Sequence, residues 1–183
     1  MSLFTGKGDD GTTKTFGAKN RISKSSDVAE ALGSLDEINS FLGFCRAKVD
    51  AEFEFDGKSL KDITHQIQKD LFIVQAEVAG AEKTIPRKKV EIMEEMINGI
   101  EKELPPINSF FIPGANEISA MYDIARTLAR RAERRAITAI EAGEISISPD
   151  TKAFLNRLSS LLYALARLVN HLSGTKEEAP TYE

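Results

Sequence analysis

The sequence predicts an all-α fold, an up-and-down bundle of five helices preceded by an irregular N-terminal arm. Three observations predict it. Apolar residues recur at steps of three and four through five long stretches, the spacing that gathers them on one helical face. The joints between the stretches are short, which makes successive helices antiparallel neighbours. No stretch keeps the apolar–polar alternation of a half-buried strand.

The elements follow in order. Residues 1–25 are rich in Gly, Thr, Lys and Ser and carry too little apolar periodicity to pack as an element. Val28, Leu32, Leu35, Ile38, Leu42, Cys45 and Val49 then mark a first helix over 27–49. A loop around Phe53–Gly57 leads to a second helix over 58–82, stepped by Leu60, Ile63, Ile67, Leu71, Val74 and Val78. Thr84 is placed to cap a third helix, with Pro86 in its first turn and its end near Lys102. The Pro-interrupted segment 104–115 carries Phe110 and Phe111. Helix four is expected from Asn116 to Ala142, and helix five from Ser148-Pro149 to Ser173 through Leu155, Leu158, Leu162, Leu165, Val169 and Leu172. Residues 174–183 read as a frayed tail.

Composition narrows the function. At 183 residues with 42% hydrophobic side chains, the chain is one globular domain with a sizeable core. Lys and Arg number 24 against 28 Asp and Glu, a net charge of −4, so broad electrostatic binding to nucleic acid or an anionic membrane is not expected. The single cysteine, Cys45, forms no internal disulfide and fits a reducing, cytoplasmic setting. No apolar run is long enough to span a bilayer and the N-terminal residues lack the apolar stretch of a signal peptide, so a soluble protein is expected. Of the two histidines, only Asp62-Ile-Thr-His65 approaches the Glu-x-x-His pattern of di-iron bundles, so no protein-held metal is expected.

Against that acidic background, five arginines fall within ten residues: Arg126, Arg130, Arg131, Arg134 and Arg135, with Glu133 among them. At about 100° per residue, Arg126, Arg130 and Glu133 share one strip beside the apolar stripe of Ile118, Tyr122, Ala125, Ala129, Ala132 and Ala136. Arginines at a core edge with a carboxylate beside them suit a polyanion such as a nucleotide phosphate chain. A solvated face laced by ion pairs is the competing reading.

Other positions carry weaker signals. Gly6-Lys-Gly8-Asp-Asp-Gly11 matches G-x-G-x-x-G, but no strand precedes it and no helix opens on it, so a dinucleotide fold is excluded. Thr12 stands where a phosphate-loop lysine belongs. What remains is a Gly/Thr/Lys arm, ending in Arg21 and Lys24, whose amides and hydroxyls suit phosphate or simply solvent. Asp36 flanks the stripe of helix one and Asn39 lies in it; an aspartate there wants a cation, and Arg126 or Arg130 is the natural partner. Asn156, Tyr163 and Arg167 lie opposite the leucine stripe of helix five, facing solvent, the arm or a second subunit. Phe110 and Phe111 suggest an apolar ligand or a subunit contact.

Taken in order, the Thr5–Thr13 arm, Arg21-Ile-Ser-Lys24, Leu32-Gly-Ser-Leu-Asp36-Glu37-Ile-Asn39, Phe110-Phe-Ile-Pro113-Gly114, Arg126-x3-Arg130-Arg131-Ala-Glu133-Arg134 and Phe154-Leu-Asn156-Arg157-Leu-Ser159 resemble the PduO-type ATP:cob(I)alamin adenosyltransferases. The resemblance runs from about residue 4 to 172. It implies five helices on a ferritin-like four-helix core, a homotrimer with active sites at subunit interfaces, and transfer of the 5′-deoxyadenosyl group of ATP to the cobalt of a reduced corrinoid. By resemblance, Thr5, Gly6, Lys7, Gly8, Thr13, Lys24, Arg130, Arg131, Glu133, Arg134 and Asn156 form the ATP site, with Mg²⁺ bridging phosphates. Asp36 and Arg126 match a salt bridge across the subunit boundary, and Phe110 matches the aromatic under the corrin ring. Cobalamin is the implied second substrate, and a corrinoid reductase and an adenosylcobalamin-dependent enzyme are implied partners.

Two departures stand out. The family commonly reads Thr-Lys-Thr-Gly-Asp-Lys-Gly in the arm, where this chain has Lys7 shifted by one position and Asp10 in place of a cation. Ala115 stands where many members have a second glycine. A non-catalytic ATP-binding module is the alternative function.

Overall fold

A computed structural model describes residues 3–16, 18–50 and 52–182, so the outer ends of the expected arm (Met1, Ser2) and tail (Glu183) lie outside it. The arm forms a small hairpin, β1 (Thr12–Thr13) antiparallel to β2 (Ile22–Ser23). Then come α1 (Asp27–Lys48), a hairpin of β3 (Glu54–Phe55) and β4 (Lys58–Ser59), and α2 (Leu60–Val78). α3 (Arg87–Glu103), α4 (Glu117–Glu141) and α5 (Pro149–Leu172) complete the chain. The five helices stand within a few residues of their expected bounds.

The expectation of no strands is corrected at both hairpins. In the second, Asp56 (φ 49°) and Gly57 (φ 68°) form the turn, and two consecutive left-handed residues are what a two-residue hairpin loop requires. The start of α3 is corrected too. Pro86 itself holds the N-cap position with extended backbone and no side-chain cap, and Thr84 is exposed.

Helix ends are otherwise built as their sequences dictate. Ser26, Ser59 and Ser148 accept from the backbone N–H three residues on, and Asn116 forms a reciprocal capping box with Ser119. α2, α4 and α5 each end on a left-handed glycine (Gly80, Gly143, Gly174), with the next residue's N–H returned to the preceding turn: Ala81 to Ala76, Glu144 to Ala139, Thr175 to Asn170. Two helix starts are also capped from a distance. Glu144, after α4, accepts the Val28 amide of α1 at 2.8 Å, and Glu77 of α2 accepts the Ser148 amide of α5 at 2.6 Å. A carboxylate at a helix N-terminus meets both the unsatisfied amides and the positive end of the dipole.

α1 packs between α2 and α4, α4 between α1 and α5, and α3 lies on the outer side of α5. Leu35, Ile38 and Leu42 of α1, Leu71 and Val74 of α2, and Leu158, Leu162 and Leu165 of α5 have no exposed surface. α4 meets both neighbours through a spine of alanines, Ala125, Ala129, Ala132, Ala136 and Ala139, all fully buried. Tyr122 precedes that spine on the same face; its hydroxyl lies 2.7 Å from Thr64 Oγ1, whose own proton goes to the Leu60 carbonyl, so the tyrosine is the donor. Burial raises the Tyr122 pKa and pushes the Cys45 thiol up to about 12.

Residues 174–182, read from sequence as frayed, fold back on the bundle. Glu177 pairs with Arg167 at 3.1 Å, and the Glu178 carbonyl accepts the Ile112 amide at 2.8 Å. The tail thereby ties the 104–115 segment to α5.

Candidate functional site

The arginine cluster of α4 divides between two faces. Arg131 pairs with Glu37 of α1, and Arg135 reaches Glu30 of α1 at 3.9 Å. Arg126 and Arg130 turn the other way, toward α5. There they line an open cleft of about 530 Å³ with Asp123 of α4, Ser159, Ser160 and Tyr163 of α5, and the loop from Ile107 to Pro113. The i, i+4, i+7 strip expected from sequence is therefore present, and it continues from the cleft to Glu133. Asn156 of α5 donates to Glu133 at 3.1 Å, closing that end.

Within the cleft, Arg126 is held by its own helix and by α5. Its Nε is 3.5 Å from Oδ1 of Asp123, and its guanidinium lies over the Tyr163 ring, 5.8 Å from the centroid. The Nε is buried and has no hydrogen-bond acceptor among the described residues. Burial raises the pKa of Asp123 against the opposing pull of Arg126, and burial likewise raises the Tyr163 hydroxyl. The cleft thus holds a charged pair in a poorly solvated pocket, with Arg130 at the seam between this pocket and the polar strip.

The two loop aromatics have different fates. Phe110 is 80% exposed at the cleft rim. Phe111 turns inward under Arg167, whose guanidinium is 5.1 Å from its ring centroid. Arg167 is only 4% exposed and is satisfied by Glu177 and the Pro105 carbonyl. The covering of α5 at Arg167 thus comes from the chain's own loop and tail, which corrects the expectation of solvent, arm or second subunit there.

The arm is held together by its own hydrogen bonds. Arg21 donates to Thr12 Oγ1 and to the Thr12 carbonyl, and Lys24 Nζ donates to the Gly8 carbonyl at 2.9 Å. A Cβ at Gly8 would sit 3.2 Å from that Nζ and 3.1 Å from the Thr12 carbonyl, so a side chain there would crowd the turn and push Lys24 or Thr12 by a few tenths of an ångström. Asp10 accepts from the Thr12 amide and hydroxyl, which lowers its pKa. Its carboxylate is therefore engaged inside the arm. Thr5 accepts from the Lys7 amide, Gly6 accepts from the Asp9 amide, Thr13 pairs with Ile22 and Lys24 donates to Gly8, each a contact within the arm. Phe16 carries the arm onto the α1–α2 side, where it lines a second depression with Leu32, Asp36, Phe72 and Lys83.

One chain therefore presents the expected site residues as three groups. Arg126, Arg130, Glu133 and Asn156 share the α4–α5 face with Phe110. Arg131 faces α1, and Arg134 is exposed on α4 between those faces. Within one chain Asp36, which the resemblance pairs with Arg126 across a subunit boundary, lies with the arm on the α1–α2 side, and Arg126 is next to Asp123. Asp123, Ser160 and Arg157 were missed from sequence; the i, i+3 relation of Asp123 to Arg126 and the adjacency of Arg157 to Asn156 were the available signals.

The model of the cobalamin adenosyltransferase family matches residues 3–169. The chain belongs to the cobalamin adenosyltransferase family. It is 37% identical over 174 residues to a corrinoid adenosyltransferase of Citrobacter freundii, covering 91% of this chain and 93% of that one. It is 35% identical over 178 residues to the corrinoid adenosyltransferase PduO of Citrobacter freundii, covering 93% of this chain, which spans only 50% of that longer relative. Among solved structures, a phenylalanine-to-alanine variant of the PduO-type ATP:corrinoid adenosyltransferase of Lactobacillus reuteri, complexed with cobalamin and ATP, superposes with a TM-score of 0.89 at 26% identity, covering 98% of this chain and 99% of that one. The five-helix adenosyltransferase architecture is thus shared along nearly the whole chain.

Proposed function

We propose that the chain transfers the 5′-deoxyadenosyl group of ATP to the cobalt of cob(I)alamin, releasing triphosphate and forming adenosylcobalamin. The cobalt(I) electron pair forms the bond to C5′, the C5′–O bond breaks, and triphosphate leaves with the electron pair of that broken bond. No protein nucleophile or general base is needed; the protein binds, orients and neutralises.

The observation that carries this reading is the position of Arg130. It lines the cleft roofed by Phe110 and also belongs to the polar strip that ends at Glu133 and Asn156. A guanidinium there meets negative charge as it develops on the departing triphosphate, next to a pocket large and apolar enough for part of a corrin. Phe110 supplies an apolar face that excludes water or a donor nitrogen from the lower side of cobalt, which favours the cobalt(I) state.

The other roles follow the same division. Thr5, Gly6, Lys7, Gly8, Thr13 and Lys24 of the arm wrap phosphate, and Arg131 and Arg134 add to the clamp. In one chain the arm and Asp36 lie on the α1–α2 side, away from the α4–α5 face. This supports a homotrimer in which one subunit's arm and Asp36 meet the next subunit's Arg130 and Arg126, and in which Arg126 exchanges Asp123 for the neighbour's Asp36. Mg²⁺ would be held by phosphate oxygens, since the described residues contain no cluster of three acidic, histidine or cysteine ligands. A cytoplasmic setting with a corrinoid reductase upstream and an adenosylcobalamin-dependent enzyme downstream fits the product.

The test is the visible spectrum of cob(I)alamin mixed with ATP, Mg²⁺ and the protein under reducing conditions. The wild type converts it to adenosylcobalamin. Arg130→Ala lowers the rate by about a hundredfold or more while the helical circular dichroism stays. ATP binding without any spectral change in the wild type would instead identify a non-catalytic ATP module, and near-normal turnover in Arg130→Ala would remove the triphosphate role.

A further inference from the structure

Arg157 follows Asn156 in the sequence and has no part in the site as proposed. Its side chain nevertheless bridges two elements. Nη1 donates to Oδ1 of Asn156 at 2.7 Å, and Nε donates to Oε1 of Glu94, on α3, at 3.0 Å. Glu94 also lies 3.8 Å from Arg87, which reaches Asp150 at the start of α5. On the other side, Asn156 Nδ2 donates to Glu133.

This chain of contacts has only one chemical sense. A guanidinium can only donate, and an ionised carboxylate can only accept. The Asn156 amide between them must therefore give its oxygen to Arg157 and its NH₂ to Glu133. Flipping the amide would set N–H against N–H on one side and oxygen against carboxylate on the other. One N–H and one lone pair of Asn156 remain for a ligand, in a fixed orientation.

We propose that Arg157 is a positioning residue for adenosyl transfer, locking the Asn156 amide so that its free N–H faces the nucleotide, and that Glu94 holds Arg157 in place. The inference rests on the reading of the Arg130–Glu133–Asn156 strip as the nucleotide site. It also gives α3 a function. That helix lies outside the α1–α2–α4–α5 core, and through Glu94 it braces the site without lining it. Arg157 acts through geometry: its fork spans two acceptors on different elements, which a lysine ammonium on a flexible stem does not reproduce.

The test is a steady-state ATP titration at saturating cob(I)alamin on Asn156→Ala, Arg157→Gln, Arg157→Lys, Glu94→Gln and the double variant Arg157→Gln/Asn156→Ala, each with its thermal midpoint. Arg157 and Glu94 are 41% and 31% exposed, so these variants are expected to fold. Asn156→Ala raises KM for ATP roughly three- to tenfold, the worth of one hydrogen bond. Arg157→Gln and Glu94→Gln raise it in the same direction with a smaller change in kcat, Arg157→Lys stays impaired, and the double variant is no worse than Asn156→Ala.

Wild-type KM in Arg157→Gln and Glu94→Gln beside a raised KM in Asn156→Ala overturns the positioning role, whatever the thermal midpoints do. A lowered KM in Glu94→Gln also overturns it, because an arginine freed to touch phosphate would bind ATP more tightly. If Asn156→Ala itself keeps the wild-type KM, the nucleotide does not lie on this strip, and that result removes the site reading rather than the Arg157 geometry.

Discussion

Arg126 places its Nε 3.5 Å from Oδ1 of Asp123, one helical turn earlier, yet that buried nitrogen has no hydrogen-bond acceptor among the described residues. The pair is close enough for attraction and too poorly aligned to satisfy both partners. An arrangement of this kind is ready to be exchanged for a better acceptor.

The pH dependence of stability should expose it. Burial raises the Asp123 pKa in the folded state, so its contribution is fully present below the ordinary carboxylate value and is lost as pH rises through the raised one. Asp123→Asn, which stands in for the protonated acid, should match the wild type at the acid end. It should then gain relative thermal stability as pH rises across that window. A difference that shrinks with rising pH would mean that Arg126 more than offsets the burial.

Phe110→Ala should slow adenosyl transfer more than it weakens ATP binding. The side chain is 80% exposed at the rim of the cleft, so its removal leaves the core intact. Single-turnover rates with cob(II)alamin and a reductant, compared with ATP affinity, are the measurement. Equal losses in both would remove the role at the lower face of cobalt.

Glu77→Ala should destabilise the fold by about 2–3 kcal/mol, because the Ser148 amide and the buried Thr151 hydroxyl lose their shared acceptor. Glu77→Gln keeps one carbonyl oxygen and should cost less, about 1 kcal/mol. Urea midpoints decide between them. An unaffected Glu77→Ala midpoint would mean that water replaces the cap.

Glu177→Ala should cost about 3 kcal/mol, since it leaves the Arg167 guanidinium buried with only the Pro105 carbonyl and the Phe111 ring. Hydrogen exchange at the Ile112 amide, which is bonded to the Glu178 carbonyl, should accelerate in the same variant. If exchange there is unchanged, the tail holds the loop without help from Arg167.

The helices were legible because period and caps agree: Asn116 with Ser119, Ser148 before Pro149, and a glycine after α2, α4 and α5 all mark the ends that the apolar steps imply. The two hairpins were not, since strands of two residues carry no alternation to detect; only the Asp56-Gly57 dipeptide announced one of them. At the site, the strip of Arg126, Arg130 and Glu133 was readable from helical angle alone. The partners of those residues were not. Whether Arg131 meets Glu37 or a phosphate, and whether Arg167 meets solvent or Glu177, depends on which helices are neighbours and on where the tail returns, and no local period encodes either.

The alanine spine of α4 sets a tolerance for everything built on that helix. A methyl group has no rotamers to trade, so the spacing of α4 from α1 and from α5 is fixed by near-contact of backbones and cannot be adjusted by side-chain repacking. The strip facing α5 and the arginines facing α1 therefore behave like two edges of one ruler. A valine at Ala129 or Ala132 would move both edges at once, and drift on one side of the molecule would be read directly on the other.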